Sequence, residues 1–350
     1  MSTELGADPG VVAEDGLVTY HYEVMRPQGS TDARYIVYLM KSAWFTGEMV
    51  ARERGIAAGG GGGGVRTTEI PFTVLRTIKA PLPDKPQQSR IADYLDCECS
   101  RIDSLIALRE EQIAALTERE EAELSARIDT AGGANGWVAI RRVLARIEQG
   151  WSPTCEARPA QEGEPGVIKL GSVRSGRFRP TENKAFAEGV APEERYLLRN
   201  GDLLISRANT PGLVGDAAVV TGVDNRRLYL CDLMYRIHVR EGTHPPFVSA
   251  AVRSRRTRGL VGVTARGTSQ SMAKLRGEDI ANLLIPLLDL SDQIALSEDL
   301  GQSSDRYELL RSEMRAQVDL LRERRRSLIT AAVMGEFDVT TAGGRGVVVA

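Results

Sequence analysis

Apolar residues at steps of four and seven run through the segment from Gln88 to Ile128. Steps of four and seven add up to an eleven-residue repeat, about 3.67 residues per turn, which keeps an apolar stripe on one face of a nearly straight helix. The stripe consists of Ile91, Leu95, Ile102, Ile106, Ile113, Leu124 and Ile128. A helix of this length with one apolar face needs a partner that covers the face.

The same pattern returns in the second half of the chain. The matching pairs, at one constant offset, are Pro81 and Pro286, Gln88 and Gln293, Leu95 and Leu300, and Ile128 and Val333. This internal repeat predicts that helices over 88–128 and 293–333 pair antiparallel and bury their stripes against each other. The alternative is two unrelated surface helices. The residues predicted to pair are Ile102, Ile106, Ile113 and Leu124, with the first three facing Tyr307, Met314, Val318 and Leu321.

The net charge of -2 hides a segregation of charge along the chain. Residues 87–130 carry 5 Lys/Arg against 11 Asp/Glu, and residues 291–338 carry 7 against 10, whereas residues 137–286 carry 23 against 15. Two runs in this basic region contain no acidic residue: Lys169, Arg174, Arg177 and Arg179, and then Arg253, Arg255, Arg256, Arg258, Arg266, Lys274 and Arg276. Such clusters favour a polyanion partner, and the alternative is a solvated arginine-rich face.

The sequence shows no pattern typical of a membrane span, a secretory signal or a catalytic centre. Its longest apolar runs, near Tyr35–Met40 and Leu283–Leu288, are far shorter than a membrane span, which predicts a cytoplasmic protein. The cysteines, which we expect to be reduced, are Cys97, Cys99, Cys155 and Cys231. No histidine lies in a metal-ligand pattern, and no Gly-Lys dipeptide is present for a phosphate loop. We therefore predict a binding protein with no catalytic residue, no metal and no cofactor.

One segment superficially resembles a catalytic signature. Thr243–Phe247 is similar to the Asn/Asp-Pro-Pro-aromatic signature of amino-methyltransferases, but His244 stands where the amide or carboxylate would hold the target amine. Proline is favoured in the first turn of a helix. We therefore interpret these residues as the entry to a helix.

Coarse patterns divide the remaining chain into elements. Leu17–Met25 alternates as a strand does, Arg34–Ala51 has the spacing of one helix with Tyr35, Leu39 and Met40 inward, and Gly59–Gly64 is predicted to be a loop. Residues 70–78 predict a strand or short helix, and residues 138–147 (VAIRRVLARI) a helix. Further on, Leu203–Ile205 predicts a buried strand between turns at Asn200–Gly201 and Pro211–Gly212.

Four segments carry a resemblance to a known family: QQSRIADYLD from Gln87, NGDLLISRANTPGLVG from Asn200, RGTSQSMAKL from Arg266 and LLIPLLDLSDQIAL from Leu283. Together they resemble the DNA specificity subunit of type I restriction-modification systems, and the resemblance extends from Leu17 to Val339. Its implied fold is α/β (α+β) target recognition domains, joined by two long antiparallel coiled-coil helices. Each domain would read one half of a split DNA site.

The resemblance also implies boundaries and partners. The segments are an unstructured N-terminus at 1–16, a partial first recognition domain at 17–85, a central helical spacer at 86–130, a complete second recognition domain at 136–286, a C-terminal spacer at 291–338 and a flexible tail at 339–350. The implied partners are double-stranded DNA, methyltransferase (modification) subunits docked on the spacers and an ATP-dependent restriction subunit that translocates and cleaves DNA. The chain itself would be non-catalytic.

Two polar segments of the second domain, Ser206–Thr210 and Arg266–Ser271, are candidate DNA contacts, because Arg, Lys, Asn and Gln read base edges while hydroxyl groups hold phosphates. For each segment the alternative is a solvated turn. Cations before and after these segments are expected to position the DNA backbone. The candidate residues are Lys169, Arg174, Arg177, Arg179, Ser206, Arg207, Asn209, Arg266, Thr268, Ser269, Gln270, Lys274 and Arg276.

The first domain is about half as long as the second, and has no counterpart of Trp137–Val223. We therefore expect either a start placed too late or a natural truncation. A truncated chain would recognise half a split site, and a two-fold dimer would then read a palindrome. A second alternative is a coiled-coil scaffold that has lost DNA binding.

Overall fold

The structure, a computed structural model, describes residues 9–11, 24–26, 29–52, 72–265 and 272–342. The chain divides into two compact units, and both long helices contribute residues to each. The first unit comprises residues 1–113 and 311–350, and the second comprises residues 114–310. Among the described helices, none is long and apolar enough to cross a membrane. The predicted loop at Gly59–Gly64, and most of the predicted strand at Leu17–Met25, lie outside the described residues.

The helices and strands confirm the predicted mixed fold with two long helices. The helices are α1 Ala33–Lys41, α2 Ala43–Arg52, α3 Phe72–Leu75, α4 Lys85–Asn135, α5 Pro245–Arg253, α6 Arg255–Thr264, α7 Gly277–Ala281, α8 Leu290–Met334 and α9 Val339–Ala342. The strands are β1 Trp137–Ala139, β2 Leu144–Gln149, β3 Pro165–Ile168, β4 Val173–Arg174, β5 Arg177–Phe178, β6 Asn183–Ala185, β7 Leu203–Ser206, β8 Ala208–Asn209, β9 Ala217–Val219, β10 Arg227–Tyr229, β11 Met234–Val239, β12 Ala273–Lys274 and β13 Leu284–Pro286.

The long helices α4 and α8 begin in the same way. Asp84 accepts a hydrogen bond from the Gln87 backbone N–H at 2.9 Å, and Asp289 accepts one from Asp292 at the same distance. An aspartate in this position satisfies backbone donors that a helix start leaves unpaired. The backbone hydrogen bond from Asp292 lowers the pKa of Asp289 below its ordinary value.

In each unit the two long helices run antiparallel. Within the first unit, Arg322 pairs with Glu110 at 2.8 Å and Arg325 with Asp103 at 3.0 Å. Of the residues predicted to pair, three are buried and five are half-buried. The buried ones are Ile102, Leu124 and Val318, and the half-buried ones are Ile106, Ile113, Tyr307, Met314 and Leu321.

The register within the second unit differs from the predicted facing of Tyr307. The Tyr307 hydroxyl donates to Glu123 at 3.0 Å, and Ser303 donates to the same carboxylate at 2.8 Å. Tyr307 therefore lies against the C-terminal part of α4 and not opposite Ile102. Polar contacts between the helices set this alignment, and an apolar repeat does not reveal them.

The first unit packs α1 and α2 against the start of α4 and the end of α8. Tyr35 and Leu39 are buried among Ile91, Leu95 and Val333. The Tyr35 hydroxyl donates to the backbone oxygen of Pro81 at 2.9 Å. Covering the apolar stripe in this way is the main source of stability for such a long helix.

The predicted single helix over Arg34–Ala51 is in fact two helices, because Ser42 interrupts it. Ser42 is buried and extended, with φ -70° and ψ 149°. Its hydroxyl donates to the Leu39 carbonyl oxygen at 2.7 Å and accepts from the Phe45 backbone N–H at 3.2 Å. One serine thus ends α1 and starts α2, a side-chain effect that hydrophobic spacing does not show.

The second unit contains a four-stranded antiparallel sheet in the order β2-β11-β7-β9. One face, with Leu203, Ile205 and Ile237, packs in a core with α5 and α6. The other face, with Leu204 and Met234, packs on a three-stranded sheet in the order β10-β3-β6. Strand β7 and most of β9 and β11 are therefore buried on both faces, while the edge strand β2 is partly exposed.

The helix predicted over residues 138–147 is wrong. These residues form the end of β1, a 3-10 turn and the start of β2. Strand β1 pairs with β13, and β2 pairs with β11, so both partners are distant in sequence. The spacing of the apolar residues suits a helix, but strand pairing decides the conformation here.

The sequence repeat has a counterpart in the contacts of each unit. In the first unit, the Asp32 backbone N–H donates to Gln88 Oε1 at 2.9 Å, and Gln88 Nε2 donates to the Pro83 oxygen at 2.7 Å. In the second, the His244 backbone N–H donates to Gln293 Oε1 at 2.9 Å, and Gln293 Nε2 donates to the Leu288 oxygen at 3.0 Å. We call this pair of contacts the glutamine clamp. It fixes the start of α1 to α4, and the start of α5 to α8.

Replacing Gln88 or Gln293 by Met should lower the free energy of unfolding by about 1–3 kcal/mol. Methionine keeps the side-chain length but leaves a buried backbone N–H and a carbonyl oxygen without their partner. Urea unfolding followed by circular dichroism measures the change. The control is Gln317→Met on the exposed side of α8, which should change stability by less than about 0.5 kcal/mol. Equal stability of the clamp variants and the control would contradict a structural role for the clamp.

Candidate nucleic-acid interface

Strand β8 lies within the first polar segment predicted to contact DNA, Ser206–Thr210, and it pairs with β12, which follows the second segment in the sequence. Strand β12 pairs antiparallel with β8, with Ala273 opposite Asn209 and Lys274 opposite Ala208. Along β12 the residues alternate, so that Ala273 and Leu275 are buried while Lys274 and Arg276 are exposed. We define the β8–β12 surface by the exposed and half-exposed side chains Arg207, Thr210, Met272, Lys274 and Arg276.

Arg207 lies at the centre of this surface. Its backbone N–H donates to the Leu233 oxygen at 2.9 Å, and its backbone oxygen accepts from Leu275 at 2.8 Å. Its side-chain Nε donates to the Tyr235 hydroxyl oxygen at 3.2 Å, and its guanidinium carbon lies 5.9 Å from the Tyr235 ring centroid. Both the backbone and the side chain are held in place.

Ser206 and Asn209 do not reach the surface, which corrects their prediction as DNA contacts. Ser206 is fully buried and Asn209 is 9% exposed. The Asn209 amide oxygen accepts from the Thr210 backbone N–H at 2.8 Å, and its Nδ2 lies 3.5 Å from the Ser206 hydroxyl. These two side chains shape the turn beneath Arg207.

Four other predicted cations lie on the hairpin of β4 and β5 or next to it in the sequence. Two of them form ion pairs and two do not. Lys169 pairs with Glu182 at 2.9 Å, and Arg177 pairs with Asp305 on α8 at 3.0 Å. Arg174 and Arg179 are exposed, and neither forms an ion pair with any described residue. The hairpin therefore offers two cations to a polyanion, while Arg177 anchors it.

Asp216 fixes the tip of this hairpin. Its Oδ2 accepts from the Ser175 backbone N–H at 2.6 Å, at a residue with the unusual φ of 51°. The Asp216 backbone oxygen accepts from Ser206 at 2.8 Å, directly before Arg207. The hairpin and the β8–β12 surface are thus connected through Asp216, directly before β9, and Ser206, the last residue of β7.

Arg253 explains why the hairpin turn contains Gly176. The guanidinium of Arg253 passes so close to Gly176 that a Cβ there would overlap it, and φ at Gly176 is 78°. Burial lowers the pKa of Arg253 below its ordinary value, although its Nε lies 3.9 Å from the Asp216 carboxylate. A side chain at position 176 would displace Arg253 and strain the turn.

Several of the other arginines in the basic run also hold the fold together. Arg258 donates to the backbone oxygens of Val214 and Gly212, the latter at 2.8 Å, and burial lowers its pKa. Arg256 lies over the Trp137 ring, 4.6 Å from its centroid. Arg276 pairs with Glu278 at 3.1 Å. The local positive charge of the sequence therefore overstates the charge available to a ligand.

Two curated proteins of Escherichia coli are similar to the chain. The type I restriction enzyme EcoEI specificity subunit is 26% identical over 153 residues, which cover 43% of this chain and 26% of that protein. The EcoKI specificity subunit is 22% identical over 338 residues, which cover 90% of this chain and 68% of that protein. The matched region is thus about a quarter of the EcoEI subunit and about two thirds of the EcoKI subunit. The chain is therefore similar to type I restriction enzyme specificity subunits along 90% of its length.

A solved structure has a similar fold. It comes from work on complex assembly and conformational transition of the type I R-M system, and it has a TM-score of 0.61 and 18% sequence identity to this chain. The similarity covers 88% of this chain and 72% of that one. No protein-family model matches the sequence.

Four of the predicted DNA-binding residues, Arg266, Thr268, Ser269 and Gln270, lie outside the described residues. Across the described ranges there is no group of three or more His, Cys, Asp or Glu side chains that could hold a metal ion. The four cysteines are free, and burial raises the pKa of Cys231 to about 12. Cys231 is therefore protonated and unreactive at neutral pH.

Sequence reasoning missed a buried arginine beside the interface. Arg236 on β11 is 6% exposed and donates to Glu148 at 2.7 and 2.9 Å and to Asp202 at 3.0 Å. It also donates to the backbone oxygens of Leu197, at 2.8 Å, and Arg195. Burial lowers the pKa of Arg236, but the two carboxylates outweigh burial and leave that pKa above its ordinary value. The spacing of basic residues cannot distinguish it from a surface cation.

Replacing Arg236 by Met should lower the free energy of unfolding by about 3–5 kcal/mol, because Glu148 and Asp202 would lose their buried cation. Thermal or urea unfolding of the full chain measures this loss. Arg226→Met, at an exposed position of the same unit, is the matched control and should leave stability nearly unchanged. If both variants unfold alike, Arg236 does not have this structural role.

Proposed function

We propose that the chain is the DNA-reading subunit of a type I restriction-modification complex. It binds double-stranded DNA at a split site and directs methylation and restriction by partner subunits to that site. Similarity to the EcoEI and EcoKI specificity subunits supports this function. The proposal assigns no catalysis and no cofactor to the chain itself, and assigns it to the cytoplasm.

The observation that carries the proposal is that four of the predicted DNA-binding cations in the second unit have no carboxylate partner among the described residues. Arg207 and Lys274 on the β8–β12 surface have no ion pair with a described residue, and neither do Arg174 and Arg179 on the hairpin. The other described cations predicted to contact DNA, Lys169, Arg177 and Arg276, each form an ion pair with a carboxylate. A ligand with many phosphates fits such a set, because each phosphate contact releases condensed counterions.

Partner subunits are proposed to dock on the long helices. In the first unit, Leu105 and Leu108 of α4 are 46% and 49% exposed. In the second, Leu309 and Leu310 of α8 are 60% and 43% exposed. Exposed leucines among acidic residues suit an interface with an apolar centre and a charged rim. We assign these surfaces to modification subunits, which in turn recruit the restriction subunit.

The affinity of the full chain for duplex DNA should fall steeply with salt, and fewer phosphate contacts should make the fall less steep. Lys274→Ala and Arg174→Ala should each reduce the slope of log K against log salt concentration by about 0.9, the value for one phosphate contact. Gel-shift titrations at several salt concentrations measure these slopes. Arg158→Ala, which removes a cation already paired with Glu164, should leave the slope unchanged. Salt-independent binding, or no binding at all, would contradict the proposed function.

A second candidate function is recognition of a half-site, with two copies of the chain reading a palindrome. It is favoured because every strand in the described part of the chain lies between Trp137 and Pro286, in the second unit. A two-fold pair of such units would present two identical reading surfaces.

Footprinting together with gel filtration of the complex distinguishes the two functions. A dimer that protects two identical half-sites supports the second candidate. A single chain that protects two unrelated half-sites supports the first and excludes the second.

A further inference from the structure

Arg207 differs from the neighbouring arginines in what surrounds its guanidinium. Arg236 has two carboxylate partners, Arg177 pairs with Asp305, and Arg258 donates to two backbone oxygens. Arg207 contacts the neutral hydroxyl and ring of Tyr235, and no described carboxylate lies within ion-pair distance of it. Its positive charge is therefore oriented but not neutralised.

Both the backbone and the side chain of Arg207 are held by contacts with residues of the sheet. The backbone of Arg207 is bonded on one side to Leu233 and on the other to Leu275. Tyr235, which holds the Arg207 side chain, is 8% exposed and packs in the apolar core of the sheet. The Tyr235 side chain is therefore itself fixed in position. Because Nε is used by the Tyr235 hydroxyl, the two terminal Nη groups are the donors left for a ligand. A held guanidinium loses less conformational entropy when it binds.

The strands beside Arg207 are short and mostly buried. Strands β8 and β12 form an antiparallel pair of two residues each, and both residues of β8 are buried, so the side chains beside the pair, and not the strands themselves, are the groups that can reach into the major groove of DNA. Lys274 on the second strand and Thr210 beyond the first are exposed, with the chemistry that holds phosphates. Asn209 cannot read adenine here, because its side chain is buried and its amide oxygen is already bonded.

We propose that Arg207 reads a guanine in the major groove, with its two Nη groups donating to O6 and N7 of the base. This is the pairing that a fixed guanidinium fork makes best among the four bases. The inference rests on the proposed DNA-reading function and adds to it a base identity at one position of the half-site.

Selection of bound sequences from a randomised duplex library tests this directly, with the full chain and its variants. The wild type should enrich a G·C pair at one position, and Arg207→Lys should lose that preference by roughly tenfold or more while retaining most of its overall affinity. Tyr235→Phe keeps the ring but removes the hydroxyl that accepts from Nε. It should weaken the preference at the same position only.

Arg195→Lys is the matched control. Arg195 also lies over a tyrosine ring, 4.5 Å from the centroid of Tyr196, but it is paired with Glu193 at 2.8 Å. Its replacement should leave the selected sequences unchanged. Thermal unfolding of each variant shows whether the fold is retained.

Two results would overturn the inference while leaving the DNA-reading function intact. Arg207→Lys and Arg207→Ala could retain the full sequence preference of the wild type. Alternatively, Arg207→Ala could weaken binding to all sequences equally, as expected of a phosphate contact. If the wild type selects no sequence, the proposed function itself fails, and the base assignment fails with it.

Discussion

Two long helices with one apolar face each are stable only when those faces are covered, and the rest of the structure follows from this constraint. In both units the cover is a pair of short helices, α1 with α2 or α5 with α6, seated on the stripes. The glutamine clamp fixes where each pair begins, through Gln88 in one unit and Gln293 in the other. The sheets of the second unit are then added to a support of long and short helices that the first unit also possesses.

The long helices could be predicted because their information is local and periodic. An eleven-residue repeat specifies a helix and its buried face without reference to any other part of the chain. The break at Ser42 could not be seen in the same way, because it depends on one hydroxyl bonded to Leu39. The second unit has the same break, because the hydroxyl of buried Ser254 donates to the Ala251 carbonyl oxygen between α5 and α6.

The parts that sequence reasoning did not find depend on contacts between distant residues. The strands β1 and β2 replace a predicted helix because β13 and β11 supply their hydrogen bonds. Likewise, whether an arginine is free depends on where the acids lie. Asp305 is far along the chain from Arg177, yet it holds that side chain. Composition located the basic region correctly, but only the fold separates its anchoring cations from those available to a ligand.

The inner strands β11 and β7 of the central sheet carry core residues on both faces, so the charged side chains described above lie on the short strands and loops around the sheet. The residues exposed there, such as Lys274 and Arg207, contribute little to the cores that stabilise the unit. Under the proposed function, their replacement would change which DNA is bound while costing little of the free energy of unfolding. A fold in which the exposed binding side chains are separate from the core residues can acquire a new DNA target by substitution of the exposed side chains alone. The core residues can then stay unchanged.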